Sequence, residues 1–172
     1  MPHNVFIAGA PGIGKTTLIT RLHHDLTPLV IRGFHKEAIY ENRTLKGYRL
    51  STFNFDDLIL AHMHIEGPDH IAGFGLNLDG FDALVARQLA IHKNVELILL
   101  DEIGVMECTS AFFRQKIREV LKSDIPLIAT LASVEILDEL KIKDSKDYAL
   151  LSMTLKNRDS LWKTVMLEIS KT

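Results

Sequence analysis

The sequence predicts an α/β fold, a mostly parallel sheet with helices on both faces, and three observations predict it. Apolar runs of strand length alternate with amphipathic stretches at helical spacing through the second half of the chain. The first apolar run leads at once into a glycine-rich turn and then a helix. The chain has 172 residues, 47% hydrophobic and 24% charged, and this composition at this length reads as one ordinary folded domain over 1–172.

Val5 to Ala8 is too short for a helix and enters Gly9-Ala10-Pro11-Gly12, so it reads as a buried strand. Leu18, Ile19, Leu22 and Leu26 then recur at helical spacing from Thr16, with Pro28 as the stop. Residues 29–65 change in texture. Val30 to Ile39, the alternating Tyr48, Leu50 and Thr52, and Leu58 to Met63 read as strands of a β-rich, hairpin-like insertion. Between Glu66 and Gly80, five breakers (Gly67, Pro68, Gly73, Gly75 and Gly80) predict a loop bordering a ligand. A helix through Phe81, Leu84, Val85 and Leu89, a strand from Val95 to Leu100, a helix through Phe113, Ile117, Val120 and Leu121, and a strand from Pro126 to Leu131 follow. A short helix near Ile136, Leu137 and Leu140, a strand from Tyr148 to Ser152 and a closing helix through Leu161, Trp162, Val165, Met166 and Ile169 complete the reading.

Gly9-Ala10-Pro11-Gly12-Ile13-Gly14-Lys15-Thr16 satisfies GxxxxGK[ST] between a strand and a helix, the context this phosphate-binding loop requires. Glycines let the backbone approach phosphate oxygens, so that successive N–H groups point at them from a helix N-terminus. Gly9 to Thr16, with Thr17 beside them, are the expected phosphate-binding residues. Lys15 adds a charge that reaches the β and γ phosphates, and the Thr16 hydroxyl is expected to ligate Mg²⁺.

The strand ending Leu99-Leu100-Asp101-Glu102 offers two adjacent carboxylates at the edge where open α/β sheets bind ligands. Asp101 is expected to hold the metal, directly or through water, and Glu102 to orient or deprotonate the attacking water. Two carboxylates at a strand end could instead cap the next helix; the phosphate-binding loop favours the catalytic reading.

The chain also resembles the small nucleoside triphosphatases of the THEP1 type, the family that includes the cancer-related nucleoside triphosphatase. The resemblance rests on GAPGIGKTTL, on Gly33-Phe34 with Glu37, on LLDEIGVMECTSAFF, on IATL, and on Asn157-Arg158-Asp159. It implies Mg²⁺-dependent hydrolysis of ATP, GTP and other nucleoside triphosphates to the diphosphate, on a RecA-like or AAA-like P-loop sheet. The chain departs from the family pattern at Lys36 and Ala38, within a segment that usually reads Gly-Phe-x-Thr-Glu-Glu. It also departs at Tyr40, where arginine is usual, and at Ala72 and Phe74 in the mid-chain loop. Arg43 stands at the wrong offset to supply the missing arginine.

Arg158 follows the last predicted strand and is expected to complete the site as a cation, because phosphoryl transfer builds negative charge that Lys15 and Mg²⁺ neutralise only partly. The alternative is a surface arginine paired with Asp159 or Glu135, or packed beside the base.

Two other functions are compatible with a phosphate-binding loop. A nucleotide or small-molecule kinase would use the mid-chain loop to bind an acceptor, and a nucleotide-dependent switch would use hydrolysis as a timer. Glu102 favours water as the nucleophile, and the guanine-reading NKxD order is absent from Asn157-Arg158-Asp159-Ser160. Twenty Lys and Arg against twenty-two Asp and Glu, without long charged blocks, argue against a nucleic-acid partner. A membrane-length apolar run and a cationic leader are both missing, so a cytoplasmic location is expected. The single cysteine, Cys108, reads as an unreactive core residue in a reducing compartment. His62 and His64 share a strand face but lack partners for a zinc site, and His23 and His24 are expected at the solvent edge of the first helix. Phe53, Phe55, Phe112 and Phe113 are read as core, while Phe34 or Phe74 could stack on a nucleobase.

Overall fold

The computed structural model describes residues 4–171. In chain order the elements are β1 (Asn4–Ala8), α1 (Lys15–Asp25), β2 (Ile31–Glu41), β3 (Thr44–Thr52), β4 (Asp57–His62), β5 (His70–Ile71), β6 (Phe74–Leu76), α2 (Leu78–Gln88), β7 (Leu97–Ile103), α3 (Val105–Thr109), α4 (Ala111–Leu121), β8 (Leu127–Leu131), α5 (Ile136–Glu139), β9 (Tyr148–Ser152) and α6 (Leu161–Ile169). All nine strands join one sheet in the order β5-β6-β4-β3-β2-β7-β8-β1-β9. The five strands from β2 to β9 in that order pair in parallel, and β3, β4, β6 and β5 extend the sheet antiparallel.

The apolar strands are buried on both faces, as the continuous runs demand. Along β7, Leu97 and Leu99 enter one core with α1 and α6, while Ile98 and Leu100 enter the other with α2 and α4. In β1, Val5 and Ile7 face the first core and Phe6 the second. The period of two thus sorts each strand's side chains between two helical layers.

Residues 29–65 form the three expected strands, but β2 serves two roles. Its first part, Ile31 to His35, pairs in parallel with β7, and from Phe34 onward it pairs antiparallel with β3. The hairpin is therefore a continuation of the main sheet. At Gly33, φ is 120° and an added Cβ would sit 1.9 Å from the Leu99 carbonyl oxygen, so only glycine permits this approach to β7.

The mid-chain loop needs correction. It contains β5 and β6, and α2 already begins at Leu78. The breakers make a tight hairpin: Ala72 (φ 51°) and Gly73 (φ 85°) are the two positive-φ residues between Ile71 and Phe74, a pattern of primed two-residue turns. The sequence reading also missed α3. Its start is fixed by the Glu107 side chain, which accepts the Gly104 N–H at 2.8 Å.

Cys108 lies on α3 with 4% exposure, and burial, reinforced by the Glu107 and Glu139 charges, pushes its thiol up to about 12. The native protein should therefore react with an aromatic disulfide reagent at mildly alkaline pH about 10³-fold more slowly than the urea-unfolded chain, from the lower thiolate fraction alone. Stopped-flow absorbance measures this; equal rates would contradict the placement.

Candidate active site

The C-terminal ends of β1, β2, β7 and β8 lie on one sheet edge because these strands are parallel. The loop after β1 reaches α1 through two glycines in the left-handed region, Gly12 (φ 74°) and Gly14 (φ 117°), the latter being the residue before the helix. This geometry aims the first amides of α1 at the edge, where a helix N-terminus favours anions. Lys15 is 7% exposed, and its ammonium donates to the Gly9 carbonyl at 2.7 Å and to the Ala10 carbonyl at 3.4 Å. The same nitrogen stands 3.8 Å from Glu102 Oε2.

Asp101 is 2% exposed and hydrogen-bonded on both oxygens. Thr16 Oγ1 donates to Oδ2 at 2.7 Å, and Thr130 Oγ1 donates to Oδ1 at 2.5 Å. Strand order explains the second contact: β8 lies between β1 and β7, so Thr130 stands between the loop strand and the carboxylate strand. Sequence reasoning missed Thr130, although a hydroxyl near the end of the apolar strand Leu127–Leu131 was the available signal.

A cavity of about 540 Å³ opens here. Pro11, Gly12, Gly14, Lys15, Thr16 and Thr17 line one side, and Lys36, Ala38, Tyr48, Asp101, Glu102 and Ala132 line the rest. Asp101 and Glu102 thus share the cavity with the loop. Gly9 and Ala10 meet Lys15 through their carbonyls, while the Ile13 side chain packs on the α1–α6 core rather than into the cavity.

Lys36 was flagged in the sequence only as a departure. Its ammonium lies 3.0 Å from Glu107 Oε1 and 3.2 Å from Oε2, and Glu107 is fully buried. Oε2 also accepts the Gly104 N–H, whereas Oε1 has no hydrogen bond of good geometry and is met by the ammonium as an ion pair. Burial works to lower the Lys36 pKa, but the Glu107 charge and hydrogen bond outweigh it, helped by Glu102 and Tyr48, and the pKa is raised. Lys36 is a lasting cation.

Arg158 stands on the other side of the loop. Its side chain lines a separate cleft of about 350 Å³ with Gly14, Thr17, Arg21, Met153 and Trp162, and its Nε is 3.7 Å from Asp159 Oδ1. The sequence places it at the sheet edge of the loop, and β9 does run parallel to β1 on the side away from β7, so the segment after it opens at that edge beside Gly14 and Thr17. Arg21 lies over the Trp162 ring at 4.0 Å in the same cleft.

The remaining expectations divide. Phe34 is fully buried against Phe81 and Phe113 and cannot stack on a base. Phe74 meets Tyr48 edge-on. Phe113 is core, whereas Phe55 is fully exposed and Phe53 lies between His23 and His35. His24 is exposed beside Asp25, whereas His23 lies partly buried against Phe53. His64 falls beyond the end of β4, and its N–H donates to the His62 ring. Arg43 occupies the exposed turn between β2 and β3. Among the described residues, no group of three or more His, Cys, Asp and Glu is placed to hold a metal ion.

The family described as NTPase matches residues 4–166. Nucleoside-triphosphatase THEP1 of Thermotoga maritima is 31% identical over 163 residues, covering 94% of this chain and 92% of that protein. Its counterpart in Methanocaldococcus jannaschii is also 31% identical, over 96% of both chains. The crystal structure of THEP1 from Aquifex aeolicus aligns with a TM-score of 0.82 at 24% identity, over 98% of this chain and 99% of that one. The solution structure of a human cancer-related nucleoside triphosphatase aligns at 0.79 and 24% identity, over 99% and 98%. Both structures share the α/β architecture described above, with its parallel central strands. With the loop, the carboxylate pair and the fold in agreement over nearly its full length, the chain belongs to the NTPase family.

Proposed function

We propose that this chain hydrolyses nucleoside 5′-triphosphates, ATP and GTP among them, to the diphosphate and phosphate with Mg²⁺. The observation that carries the reading is Lys15 paired with Glu102 at 3.8 Å on the wall of a cavity that the Thr16–Asp101 pair also lines. Phosphates fit the amides before α1 and the Lys15 ammonium. Thr16 and Asp101 suit Mg²⁺, which prefers hard oxygen donors and retains water and phosphate oxygens beside one or two protein ligands. When bound, the metal draws negative charge from the β and γ oxygens.

Glu102 differs from Asp101 in having a free carboxylate edge, with 31% of its side chain exposed. It orients a water on the γ-phosphorus and takes its proton as the new P–O bond forms and the bond to the β,γ-bridging oxygen breaks. The diphosphate leaves with the bridging oxygen's electron pair, and the proton returns to solvent. The Arg158–Trp162 cleft beside Gly14 and Thr17 suits the nucleoside end, with Trp162 as an apolar surface and Arg158 as a cation near it. No helix is long and apolar enough to cross a membrane. The buried Cys108 thiol suits a reducing, cytoplasmic setting.

Phosphate release from ATP, GTP, CTP and UTP, with and without Mg²⁺, tests the reading: release that requires the metal and is abolished by Lys15→Ala is expected. No release from any triphosphate would overturn it. Glu102→Gln should retain nucleotide while slowing single-turnover hydrolysis by about 10² to 10⁴-fold, whereas Asp101→Asn should raise the Mg²⁺ concentration needed for binding. Equal, small effects would show that the two carboxylates are misassigned. Arg158→Ala should weaken nucleotide affinity and leave the single-turnover rate within about threefold, which quenched-flow assays separate from binding. A rate loss of about 10³-fold would instead make it a finger residue.

A further inference from the structure

We propose that Lys36 is a second phosphate-binding cation of this site, positioned by Glu107 to meet the γ-phosphoryl oxygens from the wall opposite the glycine-rich loop. The proposal rests on the triphosphatase reading above. Strand register brings Lys36 there: His35 pairs with Asp101 across β2 and β7, so Lys36 stands one residue further along, at the level of Glu102. Its side chain is 13% exposed, and what remains accessible faces the cavity shared with Lys15 and Glu102.

The wall behind it is built to hold an ammonium. Glu107 is fully buried, and its Oε2 is fixed by the Gly104 N–H. A Cβ built at Gly104 would stand 3.5 Å from Lys36 Nζ and 3.4 Å from Glu107 Oε2, so Gly104 packs directly beside the ion pair. An ammonium has three donors, and the Glu107 carboxylate takes the contacts on one side only.

Charge balance supplies the chemical reason. The γ-phosphoryl group spreads negative charge over three oxygens as its bond to the leaving group loosens, and Glu102 places a further anion beside it. Lys15 approaches from the loop side. Among the described residues lining this cavity, Lys36 is the other cation, since Arg43 lies in the exposed hairpin turn and Arg158 in the separate cleft. A diphosphate has no γ group, so Lys36 should discriminate between product and substrate.

Lys36 could instead serve only to neutralise Glu107 and pin α3. The double variant Lys36→Met/Glu107→Gln separates the two roles, because it removes both buried charges and leaves an amide oxygen to accept the Gly104 N–H. Equilibrium titration with a non-hydrolysable triphosphate analogue should show about tenfold or greater weakening in this variant, with diphosphate affinity within about twofold of wild type. Single-turnover hydrolysis should fall by about 10² to 10³-fold, and Lys36→Arg should recover most of both losses. Equal loss of triphosphate and diphosphate affinity, or a rate within about threefold of wild type, would overturn the assignment. Wild-type hydrolysis and its loss in Lys15→Ala are measured in the same series. Absence of turnover there would count against the triphosphatase reading, while the binding comparison still decides the role of Lys36.

Discussion

A carboxylate with 2% exposure has to be hydrogen-bonded on both oxygens, and Asp101 meets that demand only because Thr16 and Thr130 arrive from two other elements. The three residues come from α1, β7 and β8, separated by 85 and 29 positions along the chain. Their union fixes the helix N-terminus against the carboxylate strand. Thr130 reaches the carboxylate because β8 lies between β1 and β7. Cavity, loop and second carboxylate take their positions from this junction.

From it follows a separation of tasks between adjacent residues. Asp101 has no free edge, whereas Glu102 keeps one and faces Lys15. Two ammonium groups then flank the space beyond Glu102, Lys15 held by carbonyls of its own loop and Lys36 by a buried carboxylate. Each cation has an anionic or carbonyl partner, so the buried charges are compensated within the fold rather than left in a low-dielectric interior. A highly charged substrate entering between them meets donors that are already oriented, which is the condition for electrostatic stabilisation without reorganisation.

Local features were the ones legible in the sequence. The run from Val5 to Thr17 displays strand, glycine turn and helix within a dozen or so residues, and Leu97 to Glu102 displays a buried strand ending in acids. Lys36 and Glu107 left no such trace, because a pair 71 residues apart is joined only by the pairing of β2 with β7. The same distance effect hides the surroundings of Arg158: its sequence neighbourhood gives the strand before it and the helix after it, but not that β9 lies outside β1 and opens onto a cleft with Trp162. Between Glu66 and Gly80 the error was of another kind. Strands of two and three residues are too short to show a period, so the turn residues dominated the pattern. At α3 the cue was present, because the Gly104–Glu107 spacing is that of a capped helix start, but the segment is only five residues long.

The proposed hydrolysis turns on water, oriented by Glu102, attacking the γ-phosphorus. Hydrolysis of ATP in ¹⁸O-enriched water, with the products analysed by mass spectrometry, tests this directly. One solvent oxygen in the released phosphate and none in the diphosphate are expected. Label in the diphosphate, or release of pyrophosphate with a labelled monophosphate, would contradict it.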